Sequence, residues 1–146
     1  MSTTNQTNKL ELAYTIFCDD VRLEVGNKLT LVGVFQNMLV QQLPVSLIKF
    51  AVVNHWRGEG RYLSEVRILS PDKKQAVVVS EPAPFEMAQG GGHSDNVSFF
   101  VNVTFHTPGE YWVQTLINST LFDEQPLLIM DARTAQTPQA ASEAIN

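Results

Sequence analysis

The 146-residue chain has a single cysteine, Cys18, so no intrachain disulfide can form. Small secreted domains often depend on disulfides, and their absence favours a reducing compartment. The first nine residues lack the apolar stretch of a signal peptide. No apolar run in the sequence approaches the roughly 20 residues that a transmembrane helix requires. Together these absences predict a cytoplasmic protein.

Charge is scarce as well. Charged residues make up 17% of the chain, against about 25% in an average domain. The ten Lys and Arg residues are scattered and outnumbered by fifteen Asp and Glu, which leaves a net charge of −5. Nucleic-acid binding usually needs a basic patch, and an anionic membrane surface would repel this chain. We therefore expect neither a nucleic acid nor a membrane as a partner.

Helical periodicity is also missing, and alternation of apolar and polar residues takes its place. Between Asp95 and His106 every second residue is apolar, namely Val97, Phe99, Val101, Val103 and Phe105. Such alternation predicts a strand with one buried face. Pro108-Gly109 then reverses the chain, and Tyr111 begins the next strand. A tyrosine at this place resembles the tyrosine corner of immunoglobulin-like folds, in which the hydroxyl bonds the backbone a few residues upstream.

Similar patterns recur along the chain and predict eight or nine strands. Gly26-Asn27 is typical of a tight turn with positive φ at both residues. Arg57 to Gly60 and Gln89 to Asp95 are rich in glycine and predict loops between strands. Regularly spaced short strands favour an antiparallel Greek-key β-sandwich, immunoglobulin-like, with a jelly roll as the alternative.

The core-forming pattern begins at residue 10 and ends at residue 131. We expect residues 1–9 to be a flexible leader and residues 10–131 to form one β-sandwich domain, which is an ordinary size for a single domain. Residues 132–146 are mostly Ala, Thr, Gln, Pro and Ser. Such a composition cannot bury enough apolar surface to offset the entropy of ordering, so we expect a disordered tail.

The segment from Ile16 to Phe35 carries a resemblance. It reads C-D-D-x-R-x-E-x-G-x-K-x-x-L-x-G-x-F, with the pattern residues Cys18, Asp19, Asp20, Arg22, Glu24, Gly26, Lys28, Leu31, Gly33 and Phe35. This pattern resembles the opening of an uncharacterised bacterial family known only as a domain of unknown function. The remainder resembles that family in strand layout. The resemblance implies a bacterial source and a β-sandwich, and it implies no activity, substrate or catalytic residue.

The densest charged cluster consists of Asp19, Asp20, Arg22 and Glu24. It could bind a ligand or Ca²⁺, but Ca²⁺ needs six or more oxygens and no Asp-x-Asp-x-Asp loop is present. We favour the structural interpretation, in which Asp19 or Asp20 caps backbone N–H groups at a strand bend while Arg22 and Glu24 make cross-strand pairs.

Aromatic residues offer a second kind of site. Trp56 and Trp112, with Tyr62 and Phe100, could form a platform for a sugar, although packing is the commoner role of such side chains. The three histidines and Cys18 show no metal-ligand spacing, and the glycines at 90–92 lack the rest of a phosphate-binding loop. No metal site, cofactor or catalytic residue is predicted.

Without a reactive constellation, the sequence favours a protein of unknown function that acts as a non-catalytic cytoplasmic interaction module. Its partner would be another protein or a second copy of the chain, because apolar residues occupy both faces of some strands and edge strands are available. The alternative is a small-ligand or carbohydrate-binding sandwich that uses Trp112 or Trp56. A third possibility is a hydrolase-type enzyme with acidic residues, among them Asp19, Asp20 and Glu24, as acid–base groups.

Overall fold

The computed structural model describes residues 9–133, and nearly all of them are in strands. The eight strands are β1 (Leu10–Glu24), β2 (Lys28–Phe35), β3 (Asn37–Val40), β4 (Val45–Leu69), β5 (Ala76–Val79), β6 (Ala83–Phe105), β7 (Gly109–Ile117) and β8 (Thr120–Asp131). The predicted all-β class is confirmed. Residues 1–8 of the predicted leader and residues 134–146 of the predicted tail lie outside the described part. Within that part no helix has the length and apolar character to cross a membrane.

All eight strands belong to one hydrogen-bonded sheet, with the order β2-β1-β4-β7-β8-β3 and with β5 and β6 both paired to β4. The sheet is mixed, since β3 runs parallel to β8 while the other pairs are antiparallel. It curls into a half-barrel. The predicted purely antiparallel arrangement is therefore wrong, and neither an immunoglobulin-like Greek-key sandwich nor a jelly roll is shown.

Two strands are unusually long, with 25 residues in β4 and 23 in β6. The predicted loop at Arg57–Gly60 is wrong, because β4 continues through it with a register shift between Gly58 and Gly60. Both glycines have positive φ, at 143° and 110°, and a side chain at Gly58 would collide with the Lys9 carbonyl. The predicted loop at Gln89–Asp95 likewise lies inside β6. The register shift leaves residues 88–91 of β6 without partners on β4, so pairing is interrupted at this bend and resumes beyond it.

The bend divides the sheet into two halves. The first half contains β2, β1, the beginning of β4 and the end of β6, and the second half contains the end of β4 with β5, β7, β8 and β3. The inner faces of the two halves meet in the main core. Among its buried members are Phe17, Phe50, Val52, Val66, Ile68, Phe100, Phe105, Val113, Leu127 and Ile129.

Tyr111 occupies the predicted local position. Its side chain is only 3% exposed, its ring meets Phe105 edge-on at 5.0 Å, and its hydroxyl donates to the Thr107 carbonyl at 2.7 Å. The predicted bond to the upstream backbone is thus confirmed. This corner also occurs here in a single curled sheet, so it does not by itself identify an immunoglobulin-like topology.

The predicted alternation in β6 is right at one end and wrong at the other. Val103 is buried as expected, but Val101 is 60% and Phe99 45% exposed, while Phe100 is buried. The residue between the two patterns, Asn102, has a φ of 54°. A left-handed residue turns the side chains that precede it to the opposite face, which explains the change of phase.

A buried polar residue links the two halves. The Nδ2 group of Asn54 on β4 donates to Thr15 Oγ1 at 3.0 Å and to Thr115 Oγ1 at 3.3 Å. Its Oδ1 is buried and has no protein partner among residues 9–133. Since Thr15 lies on β1 and Thr115 on β7, this amide ties the first half of the sheet to the second.

Candidate functional site

The predicted acidic cluster lies on the β1–β2 hairpin. Gly26 and Asn27 at its tip have positive φ, at 85° and 59°, which confirms the predicted turn. Gly33, with a φ of 69°, faces Asp19, whose carboxyl group fills the space that a Cβ at position 33 would need. The Asp19 and Gly33 of the sequence pattern are therefore in contact, and the glycine is required both by its φ and by this close approach.

The other acidic residues are tied to their neighbours. Asp20 Oδ1 accepts from the Val21 N–H at 2.9 Å and pairs with Lys49 Nζ at 2.8 Å. The hydrogen bond from Lys49, followed by the one from Val21, lowers the pKa of Asp20 below its ordinary value. Glu24 accepts from Thr30 Oγ1 at 2.8 Å. Asp20 thus caps a backbone N–H group, and Glu24 makes a contact across the hairpin. Arg22, on the same strand, is exposed.

The two tryptophans lie in different surroundings. Trp56 is completely buried, with its ring stacked on Phe85 at 5.5 Å and meeting Phe122 edge-on at 5.2 Å. It therefore offers no exposed ring to a ligand. Trp112 on β7 is partly exposed, and Lys73 Nζ lies 4.3 Å above its ring centre, so a cation already covers one side of this ring.

A chain of hydrogen bonds crosses the outer face of β4, β7 and β8. Arg67 Nε donates to Gln114 Oε1 at 2.8 Å, and Gln114 Nε2 donates to Glu124 Oε2 at 2.6 Å. Lys73 Nζ donates to Glu124 Oε1 at 2.9 Å. The bonds from Gln114 and then Lys73 lower the pKa of Glu124. We call Arg67, Gln114, Glu124 and Lys73 the Glu124 network.

The outer face of the first half has a different character. Cys18 and Ala51 are neighbours in register and completely buried, and together with Val53 they form a small second core. Burial, and then the charge of Asp19, raises the pKa of the Cys18 thiol. Val34 is the register partner of Cys18, and Phe99 is the register partner of Ala51.

Val34 is 57% exposed, and Lys49 Nζ lies 4.6 Å from the ring centre of Phe99. Val101 follows, opposite Lys49. We call Val34, Phe99 and Val101 the apolar face.

At one end of this face lies a group that sequence reasoning missed. Asp95 Oδ1 is 2.5 Å from His55 Nδ1, and His55 Nε2 is 3.1 Å from His93 Nδ1. Tyr14 stacks on His55 with ring centres 5.0 Å apart and planes 9° from parallel. Burial, followed by the charge of Asp95, raises the pKa of Tyr14. We call Tyr14, His55, His93 and Asp95 the histidine cluster.

The pairing of β4 with β6 creates this cluster. His55 is opposite Asp95, and Arg57, two residues along β4, is opposite His93. The two histidines therefore stand on one face at a diagonal cross-strand position. They are 38 positions apart in the sequence, so no local spacing reveals them; only the register between two long strands does.

Beyond His93 the surface opens into a pocket of about 530 Å³ whose lining includes Lys9, Glu11, Arg57, Glu59 and Gly90. Lys9 pairs with Glu59 at 2.6 Å and Arg57 with Glu11 at 3.1 Å. Glu59 also accepts the Gly90 N–H at 2.7 Å, and the bonds from Lys9 and then Gly90 lower its pKa. The charges of this pocket are thus paired with one another, and one glycine N–H that an anion could use is already occupied.

The cation-binding capacity of the described part is limited. Within residues 9–133 no three His, Cys, Asp or Glu side chains form a group that could hold a metal ion. Asp19, Asp20 and Glu24 belong to separate contacts along the hairpin. The arrangement that brings ring nitrogens and a carboxylate together is the histidine cluster, with two histidines and one aspartate.

Comparison with known proteins places the chain in a family. No curated protein matches the sequence. Among solved structures, the alkylpurine DNA glycosylase AlkC of Pseudomonas fluorescens, bound to DNA containing an abasic site analog, is similar with a TM-score of 0.47 and 9% identity. That similarity covers 84% of this chain and 30% of the glycosylase chain. The sequence model of a family of unknown function, DUF6941, matches residues 13–130. The expected resemblance to an uncharacterised family is confirmed at this level, and the chain belongs to DUF6941.

Proposed function

We propose that this protein is a non-catalytic interaction module of the bacterial cytoplasm, and that its partner is a second copy of the same chain. The observation that carries the proposal is the apolar face. The location rests on the lone cysteine and on the resemblance of the hairpin pattern to a bacterial family.

The apolar face projects large side chains from a rigid sheet into solvent. Val34 and Val101 are each more than half exposed, and Phe99 nearly half. Strands β1 and β4, which lie between them, contribute the buried Cys18 and Ala51. Exposed apolar side chains on a sheet are stabilised when another surface excludes water from them, which is why they commonly mark interaction sites.

The charges around the face favour a second copy as the occupant. Asp20 is paired with Lys49, and Asp95 is hydrogen-bonded to His55, so the polar groups at both borders already have partners within the same chain. A partner with a strong charge of either sign gains little from such a border, whereas an equally neutral apolar surface buries no unpaired charge. Two copies related by a two-fold axis provide that surface to each other.

The competing functions receive less support. A carbohydrate platform would have to depend on Trp112, whose ring is covered on one side by Lys73, because Trp56 is buried. An acid–base role for Asp20 or Glu24 would require breaking their bonds to Lys49 and Thr30. The raised pKa of Cys18 keeps its thiol protonated, which disfavours a nucleophilic role.

Sedimentation velocity over a wide range of protein concentration tests the proposal with a matched pair of variants. Val101→Glu places a carboxylate on the apolar face directly opposite Lys49, and Val79→Glu places one directly opposite Arg67 on the other half of the sheet. Val101 is 60% and Val79 52% exposed. We expect dimers for the natural chain and for Val79→Glu, and monomers for Val101→Glu. A natural chain that is monomeric at every concentration, or variants that behave alike, would overturn the proposal.

A further inference from the structure

We propose that His55 and His93 together bind one divalent transition-metal ion of the Zn²⁺ type, with Asp95 as the carboxylate that orients His55. This inference does not depend on the proposed self-association. It rests on two facing ring nitrogens, on the carboxylate behind one of them, and on the rigid strands that hold all three.

The hydrogen-bond partners determine which atoms are available to a metal. A carboxylate can only accept a hydrogen bond, so the contact between Asp95 Oδ1 and His55 Nδ1 requires the proton on Nδ1. A neutral His55 ring then has its lone pair on Nε2, the atom that faces His93. Metal-binding histidines in proteins characteristically donate their other ring N–H to a carboxylate in this way.

The distance between the two nitrogens suits a shared cation. His55 Nε2 and His93 Nδ1 are 3.1 Å apart. An ion bonded to both at about 2.05 Å would subtend an angle of about 98° between them. That angle lies between the roughly 90° of square-planar or octahedral sites and the roughly 109° of tetrahedral sites. Without an ion, His93 Nδ1 carries the proton that it donates to His55 Nε2, so binding an ion requires the other neutral tautomer of His93, with its proton on Nε2.

The surroundings also suit a cation. Tyr14 stacks flat on His55 and restricts rotation of its ring. The carboxylate of Asp95 supplies a compensating negative charge, while the nearest cation in register, Arg57, is paired with Glu11. The His55 side chain is 19% exposed and that of Asp95 34%. Water can therefore reach the site and complete the coordination sphere.

The described part of the chain supplies two nitrogen ligands and no third protein ligand. The site is therefore open, and its metal ion can exchange. Such a site binds more weakly than a closed structural zinc site, which has four protein ligands. Imidazole donors favour Zn²⁺, Cu²⁺ and Ni²⁺ over Ca²⁺ and Mg²⁺.

Isothermal titration of the full chain with zinc chloride at pH 7.5 tests the inference. We expect one Zn²⁺ per chain with a dissociation constant in the micromolar range. His93→Ala should abolish this binding, and Asp95→Asn should weaken it by about 10- to 100-fold. His106→Ala is the matched control, because His106 is the third histidine of the chain and lies outside the cluster. It should bind as the natural chain does.

A second measurement covers the case in which a variant fails to fold. In NMR spectra of the natural chain, added zinc should shift the ring signals of His55 and His93 and leave those of His106 in place. The absence of saturable binding up to millimolar zinc overturns the inference. So does binding that survives His93→Ala, or zinc-induced shifts confined to His106.

Discussion

The two outer faces of this single sheet share strand β4 and yet have opposite characters. On the second half, the Glu124 network joins the polar side chains of three strands and a neighbouring loop into one chain of charge-assisted bonds. On the first half, Val34, Phe99 and Val101 remain exposed, and the histidine cluster lies at one end. The two faces lie on different parts of β4 and have different neighbouring strands, β1 and β6 on the first half and β5 and β7 on the second.

This difference indicates which outer face is suited to an interaction. A face whose donors and acceptors satisfy one another has little to gain from a partner, since a new contact would first have to replace existing bonds. A face with exposed apolar side chains and internally paired charges gains from being covered. The first half is therefore the better place for an interaction. Substitutions on its outer face should act differently from substitutions in the core and on the second half.

The largest effect should come from a matched pair on β6. Val103→Asp buries a carboxylate in the main core, where Val103 is 4% exposed, and the loss of several kcal/mol should prevent folding. Val101→Asp, two residues away on the exposed face, should fold, with a melting temperature lowered only by the loss of the proposed self-association. Thermal unfolding followed by circular dichroism measures both. Equal losses would show that β6 does not change phase at Asn102.

The next effect concerns the two tyrosines that belong to different faces. Tyr111→Phe keeps the buried ring and removes its bond to the Thr107 carbonyl, which should cost about 1–3 kcal/mol because an acceptor remains unsatisfied. Tyr14→Phe, on the outer face, keeps the stacking on His55 and should cost much less. Urea denaturation gives both values. An unchanged free energy of unfolding for Tyr111→Phe would show that the hydroxyl does not stabilise the turn before β7.

A smaller effect is expected in the Glu124 network. Glu124→Gln replaces a carboxylate that accepts from Gln114 and Lys73, and we expect a loss of about 1 kcal/mol at neutral pH because the side chain is partly exposed. Glu81→Gln, at an exposed position outside the network, is the control and should be neutral.

The same variant should alter the acid dependence of stability. The pKa of folded Glu124 lies below the ordinary 4.5, so its contribution is present above the unfolded-state pKa and is lost as pH falls through the folded-state pKa. The stability difference between the natural chain and Glu124→Gln should therefore shrink in acid. Denaturation at a series of pH values measures it, and a difference that is constant with pH would contradict the assignment.

The smallest effect should come from the acidic hairpin. Asp20→Asn removes an exposed ion pair with Lys49, and such pairs contribute little in water. We expect the melting temperature to stay within the scatter of repeated scans, and millimolar Ca²⁺ to leave it unchanged in both the natural chain and an Asp19→Asn, Asp20→Asn variant. A rise with Ca²⁺ that the double variant abolishes would identify a metal site on the hairpin instead.

Local features of the fold were predictable because their causes are local. Gly26-Asn27 formed the expected turn because these residues tolerate positive φ. Tyr111 formed the expected bond because the turn that precedes it supplies the acceptor within four residues. The Asp19–Gly33 contact accounts for two residues of the hairpin pattern.

The failures have two causes. Glycines at 58, 60, 90 and 91 suggested that strands end, whereas β4 and β6 bend there and resume their pairing on the other side. Pairing is favoured because inter-strand hydrogen bonds satisfy backbone groups that a loop would leave to water. The positive φ of Asn102 reversed the predicted faces of Phe99, Phe100 and Val101, and alternation alone does not reveal such a left-handed residue.

The sequence by itself determined the all-β class, the hairpins and the low content of charged residues, since these follow from alternation, turn residues and composition. The tertiary structure alone decided the single curled sheet, the exposure of Phe99 and Val101, and the meeting of His55 with His93 and Asp95. The physical reason is register. Pairing over the lengths of β4 and β6 sets which distant side chains share a face, and alternation along one strand contains no information about its partner.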